Sequence, residues 1–92
     1  MKEKKYIDGL HYELRNAKYD SKENLISAEI YAQANEWNSN SDSSARMMNR
    51  ICHHLDSELK PDYCPLNEHL GLDKNGKRFV RELLFIAEKP IS

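Results

Sequence analysis

The sequence is poor in the residues that mark several common classes of protein. It has three glycines, three prolines and two cysteines among 92 residues. Two cysteines are too few for the disulfide framework of a small secreted domain. Three widely separated glycines cannot form a loop that cradles a phosphate. No apolar run approaches the roughly 20 residues of a membrane span. We therefore expect a protein without a disulfide framework, a bound nucleotide or a membrane segment.

The charge is nearly balanced, with 14 basic and 15 acidic residues and a formal net charge of −1. No overall basic field exists that would attract the chain to nucleic acid or to an anionic membrane. The basic start at Met1–Lys5 is not followed by an apolar run of signal-peptide length. The sequence therefore predicts a cytoplasmic protein with no membrane association and no cofactor.

The length of 92 residues gives room for one modest core. A cleft that encloses a small-molecule substrate usually takes roughly 300 to 1,000 Å³, which so small a core can provide only by losing packing or by dimerising. We therefore predict one helical domain over residues 1–92, with no catalytic residues and no enzymatic activity. Because a two-fold interface can complete a small core, a homodimer is compatible with this length.

The spacing of apolar residues at the start of the chain predicts a helix from about residue 4 to residue 19. Ile7, Leu10, Leu14 and Ala17 recur at intervals of three and four residues, as on one helical face. The alternative is a β-hairpin that turns at Asp8-Gly9, because this dipeptide supplies the positive φ angles of a two-residue turn. The first segment is therefore a helix or a hairpin.

Similar spacings predict the remaining helices. The second is expected from an Asp20 N-cap to about residue 37, and the third from about Ser43 to Leu59. A short helical turn is expected from Pro65 to Leu70, followed by a turn at residues 73–76 and a last helix whose apolar face runs from Phe79 to Ala87. The predicted fold class is all-α, a compact bundle of about four helices, with an α+β fold containing the Asp8-Gly9 hairpin as the alternative.

An acidic segment rich in tyrosine indicates a surface for protein binding. Residues 20–45 contain five acidic residues and one lysine, a local charge of −4. Tyrosine and tryptophan are enriched in binding hot spots because they bury a large apolar area and keep a polar tip. The candidate protein-binding residues are Tyr12, Tyr19, Glu29, Glu36 and Trp37. We expect Tyr12, Tyr19 or Trp37 to be at least half exposed.

The leading functional prediction is therefore a non-enzymatic protein-binding module. It would act as a small regulator, inhibitor or adaptor of a larger protein, a type of factor that phages and mobile elements also carry. The alternative is a nucleic-acid-binding regulator that uses the basic last helix. Its candidate residues are Lys74, Lys77, Arg78 and Arg81.

Thiol and imidazole side chains in the second half of the chain give a weaker alternative, a small zinc-stabilised domain. The candidate ligands are Cys52, His54, Cys64 and His69. Their spacing lacks the Cys-x-x-Cys pair typical of structural zinc sites. In addition, Cys52 falls on the apolar stripe of the predicted third helix, whereas His54 lies off that stripe. A buried free cysteine is therefore the preferred interpretation of Cys52.

Overall fold

A computed structural model describes residues 4–7, 9–34, 43–56 and 58–90, and shows a β-sheet with one helix. The predicted all-α bundle of about four helices is wrong, because the described residues are mostly strand, and the α+β alternative is closer. The elements in chain order are β1 (Lys4–Ile7), β2 (Leu10–Tyr19), β3 (Leu25–Ala34), α1 (Ser44–Leu55), β4 (Lys60–Pro61), β5 (Asn67–Leu72) and β6 (Arg78–Glu88).

The described strands form one antiparallel sheet in the order β1-β2-β3-β6. The second side of β6 is shared by β4 and β5: β4 pairs with its last two residues, and β5 pairs with the stretch from Arg78 to Leu84. β6 is therefore the central strand, whereas β1 and β5 lie on opposite edges of the sheet.

The hairpin alternative for the first segment is confirmed, and the predicted helix over residues 4–19 is wrong. Ile7 pairs with Leu10, so that the connection has two residues. Gly9 has a φ of 84°, the left-handed conformation that such a turn requires. The Asp8-Gly9 dipeptide therefore decides the local structure against the helical spacing around it.

A β-bulge in β2 explains why this strand resembled a helix. Leu10, Tyr12 and Leu14 alternate towards the core, as expected for a strand. Asn16 then adopts a φ of 51°, and the register with β3 shifts between Arg15 and Lys18. Because a bulge inserts one residue, Leu14 and Ala17 both pack against the core although they are three residues apart. A spacing of three therefore arose within a strand.

The predicted second helix is also wrong, because residues 25–34 form β3. Ala28, Ile30 and Ala32 are buried at intervals of two, whereas Tyr31 lies on the opposite face. Asp20 does not cap a helix. Its carboxylate accepts the backbone N–H groups of Asn24 and Lys22, and these bonds lower the pKa of Asp20. Asp20 thus fixes the β2–β3 turn, and residues 35–37 of the predicted helix lie outside the described residues.

The predicted third helix is confirmed over most of its length. Ser43 caps its start, since its hydroxyl accepts the backbone N–H of Arg46 at 3.3 Å. The helix ends at Leu55, so Leu59 lies beyond it, although Leu59 is buried as its apolar character predicts. Within the described ranges, no helix is long and apolar enough to cross a membrane.

The last third of the chain is a β-hairpin and not two helical segments. The predicted helical turn from Pro65 to Leu70 overlaps β5, and the predicted last helix is β6. Leu83, Phe85 and Ala87 enter the core, while Leu84 and Ile86 are half-buried on the other face. A central strand is apolar on both faces, so its sequence lacks the alternation of apolar and polar residues typical of a strand. Periodicity alone therefore cannot distinguish it from a buried helix. The turn predicted at residues 73–76 is confirmed.

The core is one layer between α1 and one face of the sheet. The helix contributes Met47, Met48, Ile51 and Cys52, and the sheet contributes buried residues of β2, β3 and β6. Tyr12 and His54 join the two layers, with 2.5 Å between Tyr12 Oη and His54 Nδ1 and the rings edge to face. Because α1 covers one face, we call the other the open face.

Two isoleucines on β3 test this layered core. Ile30 is 0% exposed and Ile26 is 40% exposed. We expect Ile30→Ala to lower the free energy of unfolding by about 2 to 5 kcal/mol, because it leaves a cavity beneath α1. The same replacement at Ile26 should cost less than about 1 kcal/mol. Urea unfolding followed by circular dichroism measures both values, and equal losses would contradict the burial of Ile30 in the layer between α1 and the sheet.

Candidate functional site

The exposed apolar side chains concentrate near one edge of the sheet. Among the described residues, seven large apolar side chains are exposed, and four of these lie between residues 63 and 72. The four are Tyr63, Leu66, Leu70 and Leu72. Single exposed apolar residues are ordinary, but a group along one element marks a candidate interaction surface.

β5 is an edge strand whose second side has no partner strand within the described ranges. Such an edge presents unpaired backbone N–H and C=O groups and can accept another strand. The opposite edge is different, because β1 has four residues and carries Lys4 and Lys5. Short length and lysine are devices that protect an edge from pairing, and β5 contains neither lysine nor proline over its six residues. β5 is therefore the less protected edge.

The two exposed leucines of β5 lie on the side of the sheet that carries α1. Glu68 Oε2 accepts a hydrogen bond from Ser44 Oγ at 2.6 Å, which places Glu68 on the helix side. Residues at intervals of two share a face, so Leu70 and Leu72 lie on the same side. They are 53% and 59% exposed. The strand therefore presents an apolar strip beside its free edge.

The turn that follows β5 is tightly ordered and carries basic residues. The Asp73 carboxylate accepts the backbone N–H groups of Asn75 and Lys77 at 2.8 and 2.9 Å, and Gly76 has a φ of 76°. Lys74 and Lys77 lie in this turn, and Arg78 pairs with Leu72 across the two strands. We call Leu70, Leu72, Lys74, Lys77 and Arg78 the β5 edge surface.

Arg81, the fourth predicted basic residue, lies on the open face. Its guanidinium carbon is 5.7 Å from the centre of the Phe79 ring. A Cβ added to Gly71 would stand 2.9 Å from Arg81 Nε, so the missing side chain of Gly71 leaves room for the arginine. Three of the four predicted nucleic-acid-binding residues therefore belong to the β5 edge surface, and Arg81 covers Phe79 instead.

The residues predicted to bind protein do not form one surface. Tyr12 is 2% exposed and lies in the core, whereas Tyr19, at the end of β2, is 55% exposed and so meets the expectation for this group. Glu29 lies on the open face and accepts a hydrogen bond from Asn16 at 3.1 Å. Glu36 and Trp37 lie outside the described residues.

The open face is held by contacts of its own side chains. The Arg15 guanidinium lies 4.4 Å from the centre of the Tyr31 ring and donates to Glu13 at 2.9 Å. Desolvation raises the pKa of Tyr31, and Glu82 raises it further. These contacts support the pleated surface, as cross-strand pairs do in other sheets. We therefore place the candidate site on the β5 edge and not on this face.

The candidate zinc ligands are not brought together. Cys52 lies in the core, His54 bonds to Tyr12, Cys64 is exposed after β4, and His69 lies on β5. In the part of the chain that the structure describes, no group of three histidine, cysteine or acidic side chains could hold a metal ion. The geometry gives the zinc alternative no support.

Open depressions lie on the surface of the described part of the chain. One of about 460 Å³ lies between α1 and β4, with Arg50, His53 and Lys60 in its lining. Cys52 and Leu59, both buried, also line it. Burial raises the pKa of Cys52 to about 12, so its sulfur is a thiol and not a nucleophilic thiolate at neutral pH. The second depression, of about 100 Å³, lies over β2 and β3.

The chain matches none of the protein-family models, curated proteins or solved structures with which it was compared.

Sequence reasoning missed Leu70 and Leu72 as candidate contact residues, although a signal was present. Leu70 and Leu72 alternate before the turn at residues 73–76, and Phe79 and Val80 follow it. Two apolar runs that flank a short turn with glycine are typical of a β-hairpin. This pattern was not used because residues 79–87 were predicted to form a helix.

The two cysteines should differ sharply in reactivity. We expect a thiol reagent at pH 8 to modify exposed Cys64 promptly in the folded protein, and to modify buried Cys52 only after unfolding, because of its raised pKa. The reagent is a disulfide that releases a coloured thiolate when it reacts with a cysteine, so absorbance follows both reactions. Cys64→Ser is the control and should abolish the prompt reaction. Equally fast modification of both cysteines would show that Cys52 is accessible.

Proposed function

We propose that this protein is a non-enzymatic binding module that recognises a larger protein by pairing β5 with an extended segment of that partner. The observation that carries the proposal is the pair of exposed leucines, Leu70 and Leu72, beside the free edge of β5. In such complexes, backbone hydrogen bonds supply affinity and alternate side chains supply specificity. A small regulator, inhibitor or adaptor could work through this one contact.

The energetics of an exposed edge support this assignment. Leu70 and Leu72 stay in contact with water in the isolated chain, and covering them would contribute roughly 25 cal/mol for each Å² of apolar surface removed from water. The unpaired groups of β5 would exchange hydrogen bonds with water for hydrogen bonds with the added strand. Because β5 is already paired with β6 along its length, its ordering cost on binding would be small.

Two double variants separate the β5 edge from the surface predicted from sequence. Leu70→Thr with Leu72→Thr removes the apolar strip and introduces β-branched side chains, which favour a strand. Tyr19→Thr with Glu29→Gln is the matched control at the far end of the sheet. We expect the first variant to bind a captured partner about tenfold more weakly and the second to bind it normally. Pull-down from a host lysate, followed by titration of the purified partner, gives both affinities.

Amide hydrogen exchange then locates the contact. Binding should slow exchange at residues 67–72, since edge amides become hydrogen-bonded to the added strand. Loss of binding in the Tyr19 and Glu29 variant alone, with unchanged exchange in β5, would move the site to the surface predicted from sequence.

The basic residues of the turn favour nucleic-acid binding as a second candidate function. Lys74, Lys77 and Arg78 lie at one end of a β-hairpin, and a two-stranded ribbon fits the major groove of DNA. The predicted helix is absent, so the hairpin would supply the contacts. Affinity for a DNA duplex should then fall steeply with salt, with the slope reduced by about one unit for each basic residue changed to glutamine. No gel shift at low salt would exclude this function.

A further inference from the structure

The β5 edge surface is apolar along the strand and basic at one end. Residues 67–81 contain two acidic residues, Glu68 and Asp73, and four basic residues, Lys74, Lys77, Arg78 and Arg81, so their local charge is 4 − 2 = +2. The whole chain has a charge of −1. The stretch from the turn to Arg81 is therefore locally basic, whereas over the whole hairpin, residues 67–88, Glu82 and Glu88 bring the charge to 4 − 4 = 0.

Both acidic side chains of this segment have local partners. Glu68 accepts from Ser44, and Asp73 accepts two backbone N–H groups of its own turn. The three basic residues of the β5 edge surface all follow Leu72, so positive charge gathers where a strand added to β5 would meet the turn. Arg81 lies over Phe79 on the open face and is not part of this set.

From this arrangement we infer that the partner of β5 is an acidic extended segment of another protein. Its apolar residues would alternate beside Leu70 and Leu72, and its aspartates or glutamates would lie at the end next to Lys77 and Arg78. This inference rests on the proposed strand addition and adds the chemistry of the partner. Charge placed at one end also fixes register and direction, which backbone pairing alone leaves open.

A second copy of the chain fits the edge less well. If two β5 strands paired about a two-fold axis, Glu68 of each copy would lie near the basic turn of the other copy. That carboxylate is already hydrogen-bonded to Ser44 in its own chain. An acidic segment of another protein satisfies more of the basic charge.

Synthetic peptides provide the test. Three capped peptides share a core of alternating valine and threonine. One has two glutamates before the core, one has them after it, and the third has glutamines at both places. Each is titrated into the isotope-labelled protein, and amide shifts are recorded by NMR. We expect one glutamate peptide to bind about tenfold more tightly than the glutamine peptide, with shifts in residues 67–78. This preference should largely disappear at about 1 M salt.

A charge variant isolates the basic residues. Lys74→Gln, Lys77→Gln and Arg78→Gln together should remove the preference for glutamate, so that the glutamate and glutamine peptides bind this variant with equal affinity. Arg81→Gln is the matched control, because Arg81 lies on the open face, and the preference should persist in it. Amide signals of residues 10–34 that match those of the unsubstituted protein show that the charge variant is folded. A lost preference then reports on the charges, and a preference that persists in this variant would overturn the inference.

The possible failures are distinguishable. If all three peptides bind with equal affinity and shift the amide signals of β5, the inference of an acidic partner is wrong and the proposal of strand addition stands. If no peptide shifts β5, the strand-addition proposal fails as well. Self-association that grows with protein concentration and shifts the same amides would identify a second copy as the partner. Duplex DNA that displaces the bound glutamate peptide and loses affinity in the charge variant would assign the basic turn to nucleic acid.

Discussion

The rest of the structure depends on the position of β6 between β3 on one side and β4 and β5 on the other. Its core-facing side chains Leu83, Phe85 and Ala87 are fully buried and meet the apolar stripe of α1. Its other side chains, Leu84 and Ile86, support the open face. β6 thus joins β3, from the first half of the chain, to β4 and β5, from the second half. Because β6 is fixed on both sides, the edge strand that it holds can remain exposed without losing its shape.

The β1 edge and the open face differ from the β5 edge in how far their groups are already protected or paired. At the β1 edge, a short strand with lysines discourages further pairing. On the open face, the Arg15 guanidinium lies over the Tyr31 ring and donates from Nη2 to Glu13, although its buried Nε has no hydrogen-bond partner among the described residues. At the β5 edge, the apolar side chains and the strand's free side remain in water. This contrast places binding on the edge, since a surface whose groups are already paired gains less from a partner than one whose groups are not.

The sequence predicted local features well where one residue type dictates a backbone conformation. Asp8-Gly9 marked the first hairpin, Ser43 marked the start of α1, and residues 73–76 marked the turn before β6. It failed where periodicity was the only guide. The bulge at Asn16 created a helical spacing in β2, and burial of both faces removed the alternation from β6.

The same limits explain the candidate site. The basic residues after Leu72 were identified from sequence, because clustered charge is visible in a linear chain. The leucines of β5 were not, since exposure of an apolar side chain depends on where α1 begins and on which strands have neighbours. Tyr12 shows the converse case. Its amphipathic side chain suggested a surface, yet its ring lies in the core and its hydroxyl bonds to His54.

Neighbouring positions of β5 differ in which side chains they can accept. A side chain in place of Gly71 would meet Phe79 Cε1 at 3.2 Å and Arg81 Nε at 2.9 Å, so substitution would push the arginine off the aromatic ring. Leu70 and Leu72 meet no such limit, because more than half of each side chain is in water. Descendants of this chain could therefore diversify the outward positions and acquire new partners, while the glycine between them keeps Arg81 over Phe79 on the other face. The two faces of β5 can thus change independently.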